Sequence, residues 1–412
     1  MDAALVIDNF PAARRTLRVA CVTETWPPEV NGVASTMARV VEGLNARGHG
    51  VQLVRPRQKP EQEARTPVQP KVEEVLTRGL KIPRYPELRM GVPSKRALVQ
   101  LWSLQRPDVV HIATEGALGW SALQAAQHLK LPVASDFRTN FHAYSSHYGL
   151  GWLNKPIMAY LRKFHNRCDC TMVPTEGLRR ELAERGFRGL SVVSRGVDTI
   201  GFAPAFRSAA LRAEWGATPD DLVVACVGRV AAEKNLNLLF EAFERIRQAV
   251  PRAKLVVVGD GPARESLQQR FPFAIFAGQR RGAELAAHYA SADLFLFPSL
   301  TETFGNVTTE ALASGLPVVA FDYAAAAELI QDGVHGLRAP CDDNAAFCAA
   351  AVELATRLAN EPAERGRMSA NARTLAEGLS WERIVARFED ALVMAMERPG
   401  IGARLQPRMA KA

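Results

Sequence analysis

One pattern occurs twice in this chain: a short apolar run, a glycine-containing loop, then a stretch with helical periodicity. It first appears at residues 17–23, the turn Asn31-Gly32 and residues 33–47, which Gly48 closes, and it restarts at 222–228 followed by 236–250. Apolar runs of this kind suit strands buried on both faces, and their alternation with helices predicts parallel sheet. Further strands are expected at 51–55, 107–112 and 132–135 in the first half, with a helix at 118–129. The second half adds 253–259, 273–277, 294–298 and 317–321, with a helix at 284–290, and a six-stranded doubly wound domain is expected there.

The length of 412 residues exceeds what one hydrophobic core usually serves, so the two patterns read as two domains. The expected division is a flexible start at 1–16, a Rossmann-like domain at 17–197 and a linker at 198–218 containing Pro204. A second Rossmann-like domain follows at 219–379, then an amphipathic helix at 380–396 and a basic tail at 397–412. Two such domains place the carboxyl ends of their sheets on a central cleft, where a ligand binds.

Apolar residues at 48% and charged residues at 23% describe an ordinary globular chain. No run approaches 18 consecutive apolar residues, which excludes a spanning helix. The first 16 residues carry Asp2, Asp8, Arg14 and Arg15 and do not read as a signal peptide, so a cytoplasmic chain is expected. Six cysteines, at 21, 168, 170, 226, 341 and 348, lack the spacing of a metal knuckle or disulfide framework and read as reduced, mostly buried residues. Asp342 and Asp343 read as a helix start, and no metal is expected.

Charge is uneven. Residues 1–200 hold 28 Lys or Arg against 18 Asp or Glu, and residues 201–412 hold 23 against 25, so the halves stand at +10 and −2. A basic first half suits an anionic partner or is simply a solvated basic surface. No aromatic residues interleave with the basic ones on a strand platform, which argues against a nucleic-acid partner. Neither half has the G-x-G-x-x-G of a nicotinamide dehydrogenase.

The segment 298–317 follows a strand, turns through Gly305 and opens a helix, so the N–H groups of Phe304, Gly305, Asn306 and Val307 lie at a helix N-terminus suited to phosphate. Glu302 lies in the loop, and Glu310 comes eight residues later, about two turns into the helix. Two carboxylates beside a phosphate would repel it unless they face neutral hydroxyls, which points to a sugar. Alone, the pair also fits solvated surface acids. A second cluster decides between these readings: after the strand at 222–227, Arg229 and Lys234 are five residues apart across a turn and able to converge on one dianion.

Together these stretches resemble the retaining GT-B glycosyltransferases of family 4. The resemblance rests on E-x7-E within T-E-T-F-G-N-V-T-T-E-A-L-A-S-G-L-P-V-V-A and on G-R-V-A-A-E-K at 228–234, and covers nearly the whole chain. It implies that Glu302 binds hydroxyls of the donor sugar, Glu310 the nucleotide ribose, and Arg229 and Lys234 the diphosphate. It implies that Gly32 brings backbone close to the donor phosphate, although that loop also reads as a plain strand-to-helix turn. Gly278 and Gln279 fall in the stretch whose backbone reads the base. The resemblance also implies retention of anomeric configuration, no metal or other cofactor beyond the nucleotide-sugar co-substrate, and a terminal helix that crosses back to the first domain.

One departure concerns a family histidine near the reacting sugar. Here Arg138 stands at that position and His142 follows four residues later. Either His142 replaces the imidazole, or Arg138 anchors substrate; a core role for His142 is a third reading. The stretch at 137–150 looks like glycolipid-forming members, including sulfolipid synthases and mannosyl- or glucosyltransferases acting on diacylglycerol lipids. A lipid acceptor is therefore expected, with a lipopolysaccharide or exopolysaccharide intermediate as the alternative. The segment 154–167 mixes Ile157, Met158, Tyr160, Leu161 and Phe164 with Lys155, Arg162, Lys163 and Arg167, which suits either an anionic membrane surface or a core-packing helix with a solvated basic face. Arg84, Arg89, Lys95 and Arg96 add to the basic character before another helical stretch. A sugar-nucleotide epimerase shares the two-domain architecture, and a non-catalytic anion-binding protein shares the charge.

Overall fold

The computed structural model describes residues 15–29, 32–57, 72–82, 85–138 and 154–397. The expected flexible start before residue 15, the basic tail from 398, Asn31, Arg84 and His142 lie outside the described residues.

Fifteen strands are described. They are β1 (Arg18–Val22), β2 (Gly50–Pro56), β3 (Val72–Thr77), β4 (Gly79–Ile82), β5 (Tyr85–Gly91), β6 (Val109–Ile112), β7 (Val133–Asp136), β8 (Cys170–Val173), β9 (Leu190–Val192), β10 (Val223–Val227), β11 (Lys254–Val258), β12 (Ile275–Gly278), β13 (Leu294–Phe297), β14 (Val318–Phe321) and β15 (Gly336–Ala339). Seven form one sheet in the order β3-β2-β1-β6-β7-β8-β9, and six form another in the order β12-β11-β10-β13-β14-β15, while β4 and β5 pair as an antiparallel hairpin. Both large sheets reverse direction of growth beside their first strand, as doubly wound Rossmann-like sheets do. Contacts divide the chain into Met1–Ser135 with Leu392–Ala412, and Asp136–Ala391.

The second sheet shows why its strands read as continuous apolar runs. Val224, Cys226, Leu255, Val257, Leu294, Leu296, Val319 and Phe321 enter one core cluster, which helices Leu236–Ala249 and Asn344–Asn360 complete. The alternate residues Val223, Ala225, Val227, Val256, Val258, Phe295, Phe297, Val318 and Ala320 enter a second cluster on the other face. Side chains alternate across a strand, so burial of both faces removes the polar half of the usual pattern. All six cysteines are free thiols and five of them are buried.

The segment expected as a plain linker carries a helix, Ala209–Glu214, with Arg212 only 4% exposed. Arg212 Nη1 donates to Asp293 at 2.9 Å and to the Ser291 carbonyl at 2.8 Å, while Nη2 donates to the carbonyls of Thr218 and Asp221. Asp293 in turn accepts from the Val223 N–H at 2.8 Å and from Arg207 at 2.7 Å. Two arginines of the segment thus meet at Asp293, which ties it to the start of β10. Removing one member of a buried pair leaves the other charge desolvated, at about 3–5 kcal/mol. Arg212→Ala should therefore lower the urea midpoint of unfolding by the equivalent of about 3 kcal/mol, the low end because Arg207 still holds Asp293.

Candidate functional site

The site grows from the carboxyl ends of β10 and β13, the neighbouring strands at which the second sheet reverses. Beyond β10 the chain is pressed against the loop beyond β11. A Cβ on Gly259 would lie 1.8 Å from the Gly228 carbonyl oxygen, and one on Gly261 would lie 2.3 Å from the Val230 carbonyl oxygen. Only glycine fits either position, and Gly259 also has a φ of +143°. The Val230 N–H donates to the Asp260 carbonyl at 3.0 Å, which locks the two loops together. The chain then makes a 3-10 turn at Ala232–Lys234, and Asn235, at φ 54°, ends it.

That turn delivers Lys234 to Glu302. Their side chains are 15% and 18% exposed, and Nζ bonds directly to Glu302 Oε1. Ser299 Oγ donates to the same oxygen at 2.9 Å, and Thr301 Oγ1 donates to the Glu233 carbonyl at 3.1 Å. Asn235 Nδ2 donates to the Pro298 carbonyl at 3.4 Å. Two hydrogen bonds and an ion pair thus stitch the loop after β10 to the loop after β13. Among the described residues the bonds to Glu302 converge on Oε1, which leaves Oε2 able to accept further donors.

Lys234 Nζ also lies 5.9 Å from the centre of the Phe297 ring. Its charge opposes the burial that pushes the neighbouring Cys226 thiol up to about 12. Arg229 is set differently. Its guanidinium is 47% exposed and bonds to the buried Glu233 at 3.2 Å. Arg229 and Lys234, both after β10, therefore hold separate carboxylates, Glu233 on their own loop and Glu302 on the loop after β13.

Gly305, at φ 92°, turns the chain into the helix Asn306–Ala313, and no side chain caps that helix. A Cβ on Gly305 would lie 3.5 Å from Glu302 Cγ and 3.6 Å from Phe297, so the turn sits against the ion-paired acid. Phe304 is buried, and its carbonyl accepts from the Ala325 N–H at 2.8 Å; Asn306 and Val307 are partly exposed. An uncapped helix start carries partial positive charge and open N–H donors, a ready anion site.

Farther along that helix, Glu310 accepts from the Tyr289 hydroxyl at 2.9 Å. Burial pushes its carboxyl up to about 7, against the Tyr289 hydrogen bond, which pulls it down. The residue keeps a partly exposed edge. Burial, followed by the Glu310 charge, holds the Tyr289 phenol well above its ordinary range. Nothing in the spacing of the two residues, 21 apart in sequence, foretells that contact. Ser299 and Thr301 were likewise absent from the sequence-derived site, although both lie inside the motif.

The other expected residues fall as follows. Gly278 ends β12 at φ 74°, and its carbonyl accepts from the Gly259 N–H at 2.9 Å; Gln279 is exposed beside it. A Cβ on Gly278 would meet the Arg264 guanidinium at 3.3 Å, and Arg264 pairs with Asp260 at 3.1 Å. Gly32 opens the helix Gly32–Ala46, and its carbonyl accepts from Thr36 Oγ1 at 2.6 Å. Arg138 is buried just after β7 and paired with Asp136. Among the described residues no group of three or more His, Cys, Asp or Glu is placed to hold a metal ion.

Residues 30–200 match the family described as Glycosyltransferase Family 4, and residues 221–357 match Glycosyl transferases group 1. A GDP-mannose-dependent alpha-mannosyltransferase of Mycolicibacterium smegmatis is 34% identical over 381 residues, covering 91% of this chain and 98% of that protein. The chain belongs to glycosyltransferase family 4. An alpha-monoglucosyldiacylglycerol synthase of Acholeplasma laidlawii is 26% identical over 349 residues, 78% of this chain and 84% of its own. Sucrose-phosphate synthase from Thermosynechococcus elongatus shares the fold, with a TM-score of 0.71 at 19% identity, covering 91% of this chain and 98% of that one. The fold of this glycosyltransferase is therefore GT-B.

Glu310 gives the site a pH dependence. Its folded pKa, about 7, is raised above the ordinary carboxylate value, so the folded state binds more protons than the unfolded chain between about 4.5 and 7. Stability is favoured below that interval and declines as pH rises through 7. Hydroxyl donors prefer the ionised acid, so nucleotide binding should strengthen from about pH 6 to 8. In a calorimetric titration Glu310→Gln should flatten that rise; an unchanged slope would remove Glu310 from the binding site.

Proposed function

We propose that this glycosyltransferase moves a hexose from a UDP- or GDP-linked sugar to a hydroxyl of a membrane-lipid acceptor such as a diacylglycerol lipid, retaining the anomeric configuration and requiring no metal. The observation that carries the reading is the Lys234–Glu302 pair set beside an uncapped helix start. A departing nucleoside diphosphate needs developing negative charge neutralised, which fixed cations and a helix N-terminus do without reorganisation. An arriving diphosphate competes with Glu302 for Lys234. It draws the ammonium onto phosphate and releases the carboxylate to accept sugar hydroxyls. Arg229, half-exposed and paired with Glu233, adds a second cation. Glu310 takes the ribose hydroxyls, Gly278 and Gln279 lie along the base, and Gly32 brings backbone to the donor phosphate. The acceptor hydroxyl attacks the face from which the diphosphate leaves: its oxygen bonds the anomeric carbon as the bond from that carbon to the phosphate oxygen breaks, and its proton passes to the departing phosphate.

The relatives support the substrate class: one is named for GDP-mannose and another for a glucosyl diacylglycerol. Membrane contact takes a particular form. In the helix Asn154–His165, Ile157, Met158 and Leu161 pack onto Phe137, Val173, Leu178, Leu182 and Phe187, so this apolar face serves the core. Lys155, Arg162 and Lys163 remain exposed, which favours electrostatic attraction to anionic lipid over insertion. No helix among the described residues is long and apolar enough to cross a membrane.

Thermal shift against UDP-, GDP- and ADP-sugars identifies the donor. Transfer to diacylglycerol vesicles then tests the reaction. Glu302→Ala, Glu310→Ala, Arg229→Ala and Lys234→Ala should each lower transfer at least tenfold, about 1.4 kcal/mol of transition-state stabilisation. Wild-type rates in all four would overturn the proposal, and turnover of donor without any acceptor would favour an epimerase.

A further inference from the structure

Beyond β7 and β9, on one side of the first sheet's carboxyl end, two buried arginines face one buried acid. The Phe137 N–H donates to the Met172 carbonyl at 2.9 Å, and the Val193 N–H donates to the Val173 carbonyl at 2.9 Å. The chain just beyond β7 and just beyond β9 therefore flanks β8 on both sides. Arg138 comes one residue after the first of these contacts, and Arg195 two residues after the second. Both are buried, at 6% and 7% exposure, around Asp136 at 3%.

Asp136 is paired with Arg138. Asp136 Oδ2 accepts from Arg138 Nε at 2.9 Å and, in a shorter contact, from Nη2. The third nitrogen of the fork, Arg138 Nη1, is buried without a hydrogen-bond partner among the described residues. Arg195 feels the shortage too. Burial and then repulsion by Arg138 push its pKa down to about 9, and the attraction of Asp136 offsets this only in part. Residues 139–153, which follow Arg138 in the chain, include no Asp or Glu that would supply a second carboxylate. Two desolvated guanidinium groups sharing one acid are costly unless another anion joins them. Planar guanidinium forks suit carboxylate and phosphate, and the carboxyl ends of parallel strands are where open α/β sheets take ligands.

We propose that Arg138 and Arg195 form an oxyanion subsite that binds a phosphate or carboxylate carried by the acceptor next to its reacting hydroxyl. The inference rests on the glycosyl-transfer reading and assigns the acceptor a charge. It sets the donor diphosphate apart, since that group has its own cations after β10. Arg195 is absent from the sequence-derived site, and Arg138 gains a specific role in place of the family histidine.

The test is calorimetry of the full chain with inorganic phosphate and with acetate, run with the nucleoside diphosphate that binds it already at saturation. Nucleotide affinity is measured first. Its absence would count against the glycosyl-transfer reading, while the phosphate titration still reads the subsite. One phosphate should bind undisplaced by nucleotide, and Arg195→Gln should weaken it at least tenfold, about 1.4 kcal/mol. Nucleotide affinity in that variant should stay within about twofold of wild type, and Arg195→Lys should restore part of the loss. Arg195→Gln keeps the Asp136–Arg138 pair, so the fold survives it; Arg138→Lys serves as the second variant and should weaken phosphate likewise. In transfer assays, lipid acceptors with an anionic headgroup should be preferred over neutral diacylglycerol through a lower KM. Displacement of phosphate by nucleotide, undiminished phosphate binding in Arg195→Gln, or equal use of charged and neutral acceptors would each overturn the proposal.

Discussion

The ion pair between Lys234 and Glu302 is the interaction on which the site depends, because it joins the two loops that leave the sheet where its strand order reverses. The hydrogen bonds from Thr301 and Asn235 that also link the loop after β10 to the loop after β13 are neutral, so the ion pair is the charged tie between them. Both partners are mostly buried, so their attraction is stronger than that of a surface pair, and so is the cost of separating them with nothing in exchange. A phosphate supplies that exchange for the lysine, and hydroxyl groups supply it for the acid. The pair thus holds the loops in position and is also the point at which a ligand enters.

The ion pair is precise only because the backbone beneath it is rigid. Gly259 and Gly261 let two loops meet at distances no side chain tolerates, and that close approach sets the start of the turn bearing Lys234. Beneath the loops, the second sheet is packed on both faces, with Phe240 stacked on Phe271 on one side and Tyr289 edge-on to Phe202 on the other. Tyr289 belongs to this core and also bonds to Glu310, so packing and ligand recognition meet in one residue.

Nine of the thirteen strands in the two large sheets were legible because burial turns them into apolar runs, and their positions agree with the sequence to within a few residues. Strands β3, β8, β9 and β15 were not located; in β15, Gly336 and Arg338 break the apolar character in four residues. The motif residues Glu302, Gly305 and Glu310 were legible through spacing across a strand, a turn and a helix. Their partners were not. Lys234 and Arg229 were expected to converge on one dianion, yet each holds a different carboxylate, because the 3-10 turn between them points the two side chains to separate neighbours. The contacts Tyr289–Glu310 and Arg212–Asp293 join residues 21 and 81 apart in sequence, a separation that no local pattern records.

The division of labour between acid and base is what a binding measurement separates most directly. Lys234→Ala and Glu302→Ala are each titrated with the free nucleoside diphosphate and with the matching nucleotide sugar. The lysine variant should weaken both ligands to the same degree, since both carry the diphosphate, whereas the acid variant should weaken the nucleotide sugar and leave the bare diphosphate near its wild-type affinity. Equal losses for both ligands in both variants would contradict the assignment of hydroxyls to Glu302 and phosphate to Lys234.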